Sequence, residues 1–374
     1  MRAAGLLLIG AGLLASSCGS DKEFYDVDLE KDGHIPASTS VAPENTGDGW
    51  SVSSPLAEAI DTTSIQSTFD SIRAGNYDKV DSLLIARHGK LVAEGYFNGY
   101  ARDAVHDLRS AGKSFVSALA GIAIDKGLFA LDDPIAVLLP GFEAHDNMSD
   151  RKRAITAHHL LDMRSGLECN DWDDASPGQE ERIYNSRDWI DFLLDLRMAF
   201  DPGTVGQYCT GGVVLLGELI ARRSGMGLDE FAQANLFGPL QVPRAVWRPG
   251  PDGRATGATG MRLRPRDLAK LGQLYLDGGT WNGMPVVPST WVAQSQRRVL
   301  MLGRDWYGFL WWKRELPGPA GPVESYFAFG NGGNFTFVIP ALDLVVTFTA
   351  SNYNSAERDL PFAILANRIL PAVH

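Results

Sequence analysis

Apolar positions along this chain follow two rhythms. Early in the folded part, "DSLLIARHGKLVAEGYF" carries apolar runs at 83–86 and 91–93 on either side of Arg87-His88-Gly89-Lys90, which predicts a β-hairpin. Near the C-terminus, "NFTFVI" and "LVVTFTA" flank Pro340-Ala341-Leu342-Asp343 and predict another. Short links between neighbouring strands require antiparallel pairing. Between these ends the spacing turns helical, in "SAGKSFVSALAGIAIDKG", "AHHLLDMRSG", "GGVVLLGELIARRSG" and "RPRDLAKLGQLYLDGG". A last helix, "RDLPFAILANRIL", is entered through Pro361. In the first of these, Phe115, Leu119, Ile122 and Ala123 share a face with few polar residues opposite, so a largely buried helix closed by Gly127 is expected. The implied fold class is α+β. An antiparallel sheet is built from both chain ends and flanked by helices, with a mainly helical region inserted within about 128–260.

Residues 1–18 read differently: Arg2, the apolar run "AAGLLLIGAGLLA", then small residues before Cys18 predict an export signal. "ASSC" resembles the bacterial lipobox, which implies lipidation of Cys18 and anchoring to a bilayer in the cell envelope, facing the periplasm. Secretion is the alternative if Cys18 carries no lipid. No later run approaches about 18 apolar residues, so no membrane-spanning helix is expected. Residues 19–48 are polar, acidic and poor in large aliphatics, which predicts a flexible tether ahead of a domain at 49–374. The net charge of −11 argues against a nucleic-acid partner, since phosphates would be repelled. Of the three cysteines, Cys169 and Cys209 remain once Cys18 is set aside. A disulfide and two buried thiols are both compatible with the sequence, because it does not give their separation.

The candidate chemistry begins at "HDLRSAGKSF". Its "AGKS" is not a phosphate loop, because Asp107 stands where the first glycine must be and the preceding segment is polar. Ser110 and Lys113 instead form Ser-x-x-Lys, which a helix brings together on one face at about 5 to 6 Å. A serine hydroxyl needs a proton acceptor before it is a useful nucleophile, and a shielded lysine with a lowered pKa supplies one. The cation also stands against custom, at the helix end that favours negative charge. Alone, the motif also reads as Ser110 capping the helix with Lys113 in solvent, and two further features are as weak. Tyr208-Cys209-Thr210 lies at a loop-to-helix junction, and Gly330, Gly332 and Gly333 precede a strand, where backbone amides can face a ligand. There is no Gly-x-Ser-x-Gly elbow and no His-Glu-x-x-His motif, and the adjacent His158 and His159 point about 100° apart on a helix. No metal or cofactor is expected.

Taken in order, Ser110-x-x-Lys113, Tyr208-Cys-Thr210 and the glycine-rich strand entry at 330 resemble the serine β-lactamase and penicillin-binding-protein superfamily. The likeness is to its class C-like branch, which includes esterases and 6-aminohexanoate-dimer hydrolases. It extends over "DLRSAGKSFVSALAGIAIDKG", "HHLLDMRSGLECNDWD", "GMRLRPRDLAKLGQLYLDGGTWNG", "WYGFLWW" and "GNGGNFTFVIPALDLVVTFTASN". The resemblance implies that Ser110 is the acylated nucleophile, Lys113 its partner in proton transfer, and Tyr208 a general base or relay. Thr210 stands where the family has Asn or Ser. "GNG" at 330–332 replaces Lys-Thr-Gly or His-x-Gly, so the basic group that would meet a substrate carboxylate is missing. Asn331, Gly332 and Gly333 are the expected substrate or oxyanion contacts. The implied function is a serine hydrolase acting through an acyl-enzyme on a small-molecule ester or amide. A β-lactamase or D-Ala-D-Ala carboxypeptidase-like envelope enzyme, and a non-catalytic envelope binding protein, stay open as alternatives.

Overall fold

The computed structural model describes residues 41–243, 245–258 and 260–374. The export signal and Cys18 lie outside the described residues. Nine strands form the main sheet: β1 (Ser51–Val52), β2 (Val80–Arg87), β3 (Lys90–Tyr96), β4 (Leu300–Leu302), β5 (Asp305–Tyr307), β6 (Trp312–Gly318), β7 (Gly321–Gly330), β8 (Asn334–Ile339) and β9 (Leu344–Ala350). Their spatial order is β1-β3-β2-β9-β8-β7-β6-β5-β4, so the two chain ends meet where β2 pairs with β9, Leu83 opposite Phe348. The β2–β3 hairpin turns through His88 and Gly89, both left-handed at φ 50° and 72°, the turn whose twist suits antiparallel strands. The expectation of a wholly antiparallel sheet is corrected at one edge. Pairing is antiparallel from β3 across to β4, but the edge strand β1 runs parallel to β3, because it enters from the distant N-terminal segment and not through a hairpin.

Four helices surround the sheet and position the site: α1 (Thr62–Arg73), α2 (Gly112–Asp125), α3 (Thr210–Ser224) and α4 (Pro265–Leu276). Every residue of β2 is buried, so both faces of the sheet are covered. On one face α4 lies so close that a Cβ on Gly272 would stand 2.6 Å from Thr336 Oγ1 and 2.7 Å from Val345 Cγ1. On the other, the Phe69 ring of α1 fills the space beside Gly95. Helix α2 is buried from Gly112 to Ala123, apolar nearly all round, as a helix inside a core must be. Between 128 and 260 the described elements are helices, from Ile135–Leu138 to Gln233–Phe237.

The last part of the expected tether is not free. Val41 is buried, and its carbonyl accepts the amide of Glu94 at 3.0 Å. Asp48 receives Arg266 through Nε at 2.8 Å and Nη2 at 2.9 Å, while Glu94 takes Nη1 at 2.9 Å. A guanidinium with no exposure would be untenable in a core without such partners. The acidity of residues 41–48, read as part of a flexible tether, therefore serves in part to neutralise Arg266 and, through Glu44, Arg102.

Candidate active site

The segment that carries Ser110 is held from behind. His106 and Asp107 pair with Leu263 and Arg262 as a two-residue ladder, and His106 Nε2 contacts Asp81 Oδ2 at 3.0 Å. Asp107 Oδ1 accepts the amide of Arg109 at 2.8 Å, which fixes Arg109 at φ 50°, a left-handed conformation rare for a side chain of this size. The chain then passes through the short turn Arg109–Ala111 into α2. The end of β7 abuts this turn. A Cβ on Gly330 would stand 2.0 Å from the Leu108 carbonyl oxygen and 3.0 Å from the Ala111 nitrogen, so only glycine lets strand and turn meet.

Within α2, Lys113 Nζ donates to Ser110 Oγ at 2.9 Å, although Lys113 is only 1% exposed. Burial pulls its ammonium well below the usual lysine range, and the charges of Glu180 and Asp171 partly oppose this. Nζ also lies 5.3 Å from the centre of the Tyr208 ring. Tyr208 is buried just ahead of α3, and burial pushes its phenol up, while a hydrogen bond with Ser110 works the other way. Ser110, Lys113 and Tyr208, about a hundred residues apart in the chain, thus converge on one hydroxyl.

Tyr208 is held by its neighbours at 169–172. Cys169 and Cys209 form a disulfide with Cα atoms 5.4 Å apart. The Asp171 amide donates to the Tyr208 carbonyl at 2.8 Å, and the Trp172 ring stacks on the Tyr208 ring at 5.4 Å and 4°. Thr210 engages two carboxylates. Its amide donates to Asp171 Oδ2 at 2.7 Å and its hydroxyl to Glu180 Oε2 at 3.4 Å. Sequence reasoning passed over Asp171, Trp172 and Glu180. The only signal was the polar "NDWDD" beside Cys169, which reads equally as an exposed acidic loop.

At the glycine-rich turn, Gly332 and Gly333 adopt φ 96° and 100°, and the Gly333 amide donates to the Gly330 carbonyl at a long 3.3 Å. Asn331 engages Asn354, donating from Nδ2 to Oδ1 at 2.7 Å and accepting the Asn354 amide at 3.1 Å. Beyond Tyr208 a cleft of about 380 Å³ is lined by Trp172, Trp312, Phe327, Phe329, Phe335 and Phe362 together with the charged Arg304, Asp305, Arg314, Arg358 and Asp359. Trp312 stacks on Tyr208 at 5.7 Å, which joins the aromatic lining to the Ser110 cluster.

A serine in the turn before a helix and a buried lysine in that helix's first turn, faced by a loop tyrosine and backed by a largely antiparallel sheet, define a class of active-site folds. Residues 79–368 match the Beta-lactamase family, and the chain belongs to it. The chain is 28% identical over 225 residues to 6-aminohexanoate-dimer hydrolase of Paenarthrobacter ureafaciens, covering 57% of this chain and 56% of that one. It is 25% identical over 227 residues to penicillin-binding protein 4 of Amycolatopsis lactamdurans, covering 59% and 56%. The chain thus aligns with little more than half the length of these relatives. Among solved structures it resembles a family VIII carboxylesterase, with a TM-score of 0.64, 16% identity and coverage of 85% and 98%. That likeness is one of fold.

Proposed function

We propose that the protein is a serine hydrolase that moves the acyl group of an ester or amide onto Ser110 and then onto water. The observation that carries this is the Ser110 hydroxyl, which lies 2.9 Å from the buried amine of Lys113, itself 5.3 Å from the centre of the Tyr208 ring. Ser110 Oγ attacks the carbonyl carbon, and its proton passes to the Lys113 and Tyr208 pair. The tetrahedral oxyanion collapses, the leaving alcohol or amine takes the proton back, and water repeats the sequence on the acyl-enzyme. Backbone amides of Ser110 and of the 330–333 turn hold the oxyanion. The long Gly333 bond is one a developing negative charge competes for readily.

The cleft offers six aromatic rings to a flat acyl or alcohol portion, with five charged side chains beside them. With Asn331 engaged by Asn354 and no lysine or histidine in that turn, binding does not depend there on a substrate carboxylate. Intact-mass measurement after exposure to a fluorophosphonate, a p-nitrophenyl ester and a penicillin tests the reading. Adducts of the first two on the native chain, absent from Ser110→Ala, are expected. Stable acylation or turnover of penicillin would move the assignment to a β-lactam-processing enzyme. Adduct with none, and no turnover, would leave a binding protein.

Attachment to the cell envelope through lipidated Cys18 is proposed on the lipobox-like "ASSC", and the Cys169–Cys209 disulfide fits an oxidising compartment. Incorporation of labelled palmitate into the native chain but not into Cys18→Ala is expected. Equal incorporation, or none, would sink the anchor.

A further inference from the structure

Two carboxylates are gathered next to Tyr208, whose ring lies 5.3 Å from the proposed proton acceptor, and one residue holds both. Thr210, the first residue of α3, offers its amide to Asp171 and its hydroxyl to Glu180. Glu180 Oε2 also accepts the Tyr184 hydroxyl at 3.0 Å. Asp171 Oδ1 is buried and has no hydrogen-bond partner among the described residues. Holding Thr210 requires one oxygen of Asp171, and nothing about that task requires the second carboxylate nearby. Bringing two acidic groups together, away from water, carries an electrostatic cost that needs a compensating cation. The cation both of them act upon is Lys113, Glu180 more strongly than Asp171.

We infer that Asp171 and Glu180, gathered by Thr210, form an acid pair that governs whether Lys113 is ammonium or amine, and so sets the pH at which Ser110 becomes a nucleophile. This rests on Ser110 as nucleophile and Lys113 as proton acceptor. The two carboxylates act through Lys113 and are positioning residues. The groups facing the pair are Lys113 from α2, Tyr208 and Thr210 at the start of α3, and Tyr184 from the helix that begins at Glu180. Beyond Tyr184 lies Arg248, its guanidinium 4.3 Å from that ring. The amide of Thr210, at the positive end of α3, favours the ionised form of Asp171. Burial first, then Glu180, oppose it and push its carboxyl up to about 6.

Charge sets the sign of the effect. Lys113 accepts a proton only as the neutral amine, and a neighbouring carboxylate stabilises the ammonium. Removing a carboxylate charge therefore frees the amine at lower pH. In the pH profile of kcat/KM for p-nitrophenyl butyrate, Asp171→Asn is expected to move the rising limb down by roughly one pH unit, the scale of a close opposite charge. Glu180→Gln is expected to move it further, because Glu180 has the larger influence on Lys113. The Gln oxygen can still accept from Tyr184 and Thr210, so this variant carries the test if Asp171→Asn does not fold. The pH dependence of fluorophosphonate labelling, which needs only an activated Ser110, is expected to shift in parallel. A rate lowered at every pH with the limb unmoved, or a limb moved upward, would overturn the acid pair and leave two structural carboxylates. Failure of the underlying reading looks different: Ser110→Ala would then hydrolyse the ester at the native rate.

Discussion

The two walls around Ser110 are built on opposite principles. The wall at 169–172 and 208–210 is made of side chains, joined by a disulfide, a ring stack and hydrogen bonds to main chain. Together with Glu180 it gathers the groups to which the proposed proton chemistry is assigned: a phenol, two carboxylates and, behind them, a buried amine. The wall at 330–334 is made of backbone, with Gly330 closer to the turn that holds Ser110 than any side chain would allow. It carries shape, and its polar side chain Asn331 is turned to Asn354. One wall thus tunes charge and the other fixes distance, so damage to each should be read out differently.

The largest effect is expected on the backbone wall. Gly330 is not among the glycines of positive φ, so alanine there meets no backbone conflict, only the Leu108 carbonyl 2.0 Å from its Cβ. A carbonyl fixed at the start of the nucleophile turn does not step aside as a flexible side chain would. Either β7 or the turn must shift by about an ångström, which costs on the order of 10² in rate where geometry is catalytic. Overpacking of this kind also costs about 1 to 3 kcal/mol of stability. Gly330→Ala is therefore expected to lower kcat/KM about a hundredfold, with the rising limb of the pH profile in place, since Lys113 keeps its carboxylates. A pH shift without loss of rate would mean that this wall acts through charge after all.

The same contrast explains what the sequence revealed. The hairpins at 80–96 and 334–350 and helices α2 to α4 were legible because a buried sheet and core helices impose strict periods on their apolar residues. The spacing of Ser110 and Lys113 is local and so visible, but alone it reads as a helix cap and a solvent-facing lysine, and its meaning came from the resemblance. Tyr208 took its meaning only from resemblance, since a tyrosine at a loop end has no periodic signature. Asp171, Trp172 and Glu180 were hidden for a physical reason: their roles depend on contacts across about forty residues of chain, and in sequence they look like a solvated acidic loop. The parallel strand β1 and the docking of residues 41–48 were missed likewise, because a partner for Asp48 at Arg266 lies 218 positions away.

The smaller effect is expected on the side-chain wall, where ties are redundant. The Cys169–Cys209 bridge spans 40 residues, and closing a loop of that length in the unfolded chain is worth about 4 kcal/mol by the chain-entropy account. Cys169→Ala with Cys209→Ala should therefore melt well below the native chain. Below that melting point, however, Tyr208 still has the Asp171 amide on its carbonyl at 2.8 Å and Trp172 against its ring, while Thr210 keeps Asp171 at 2.7 Å. Loss of kcat/KM in the folded variant should stay within about tenfold, less than about 1.4 kcal/mol of transition-state stabilisation. Thermal melts and ester hydrolysis at matched temperatures separate the two quantities. If the folded variant instead lost activity a hundredfold, the bridge alone would be holding Tyr208 in place, and the wall would be a single hinge and not a set of independent ties.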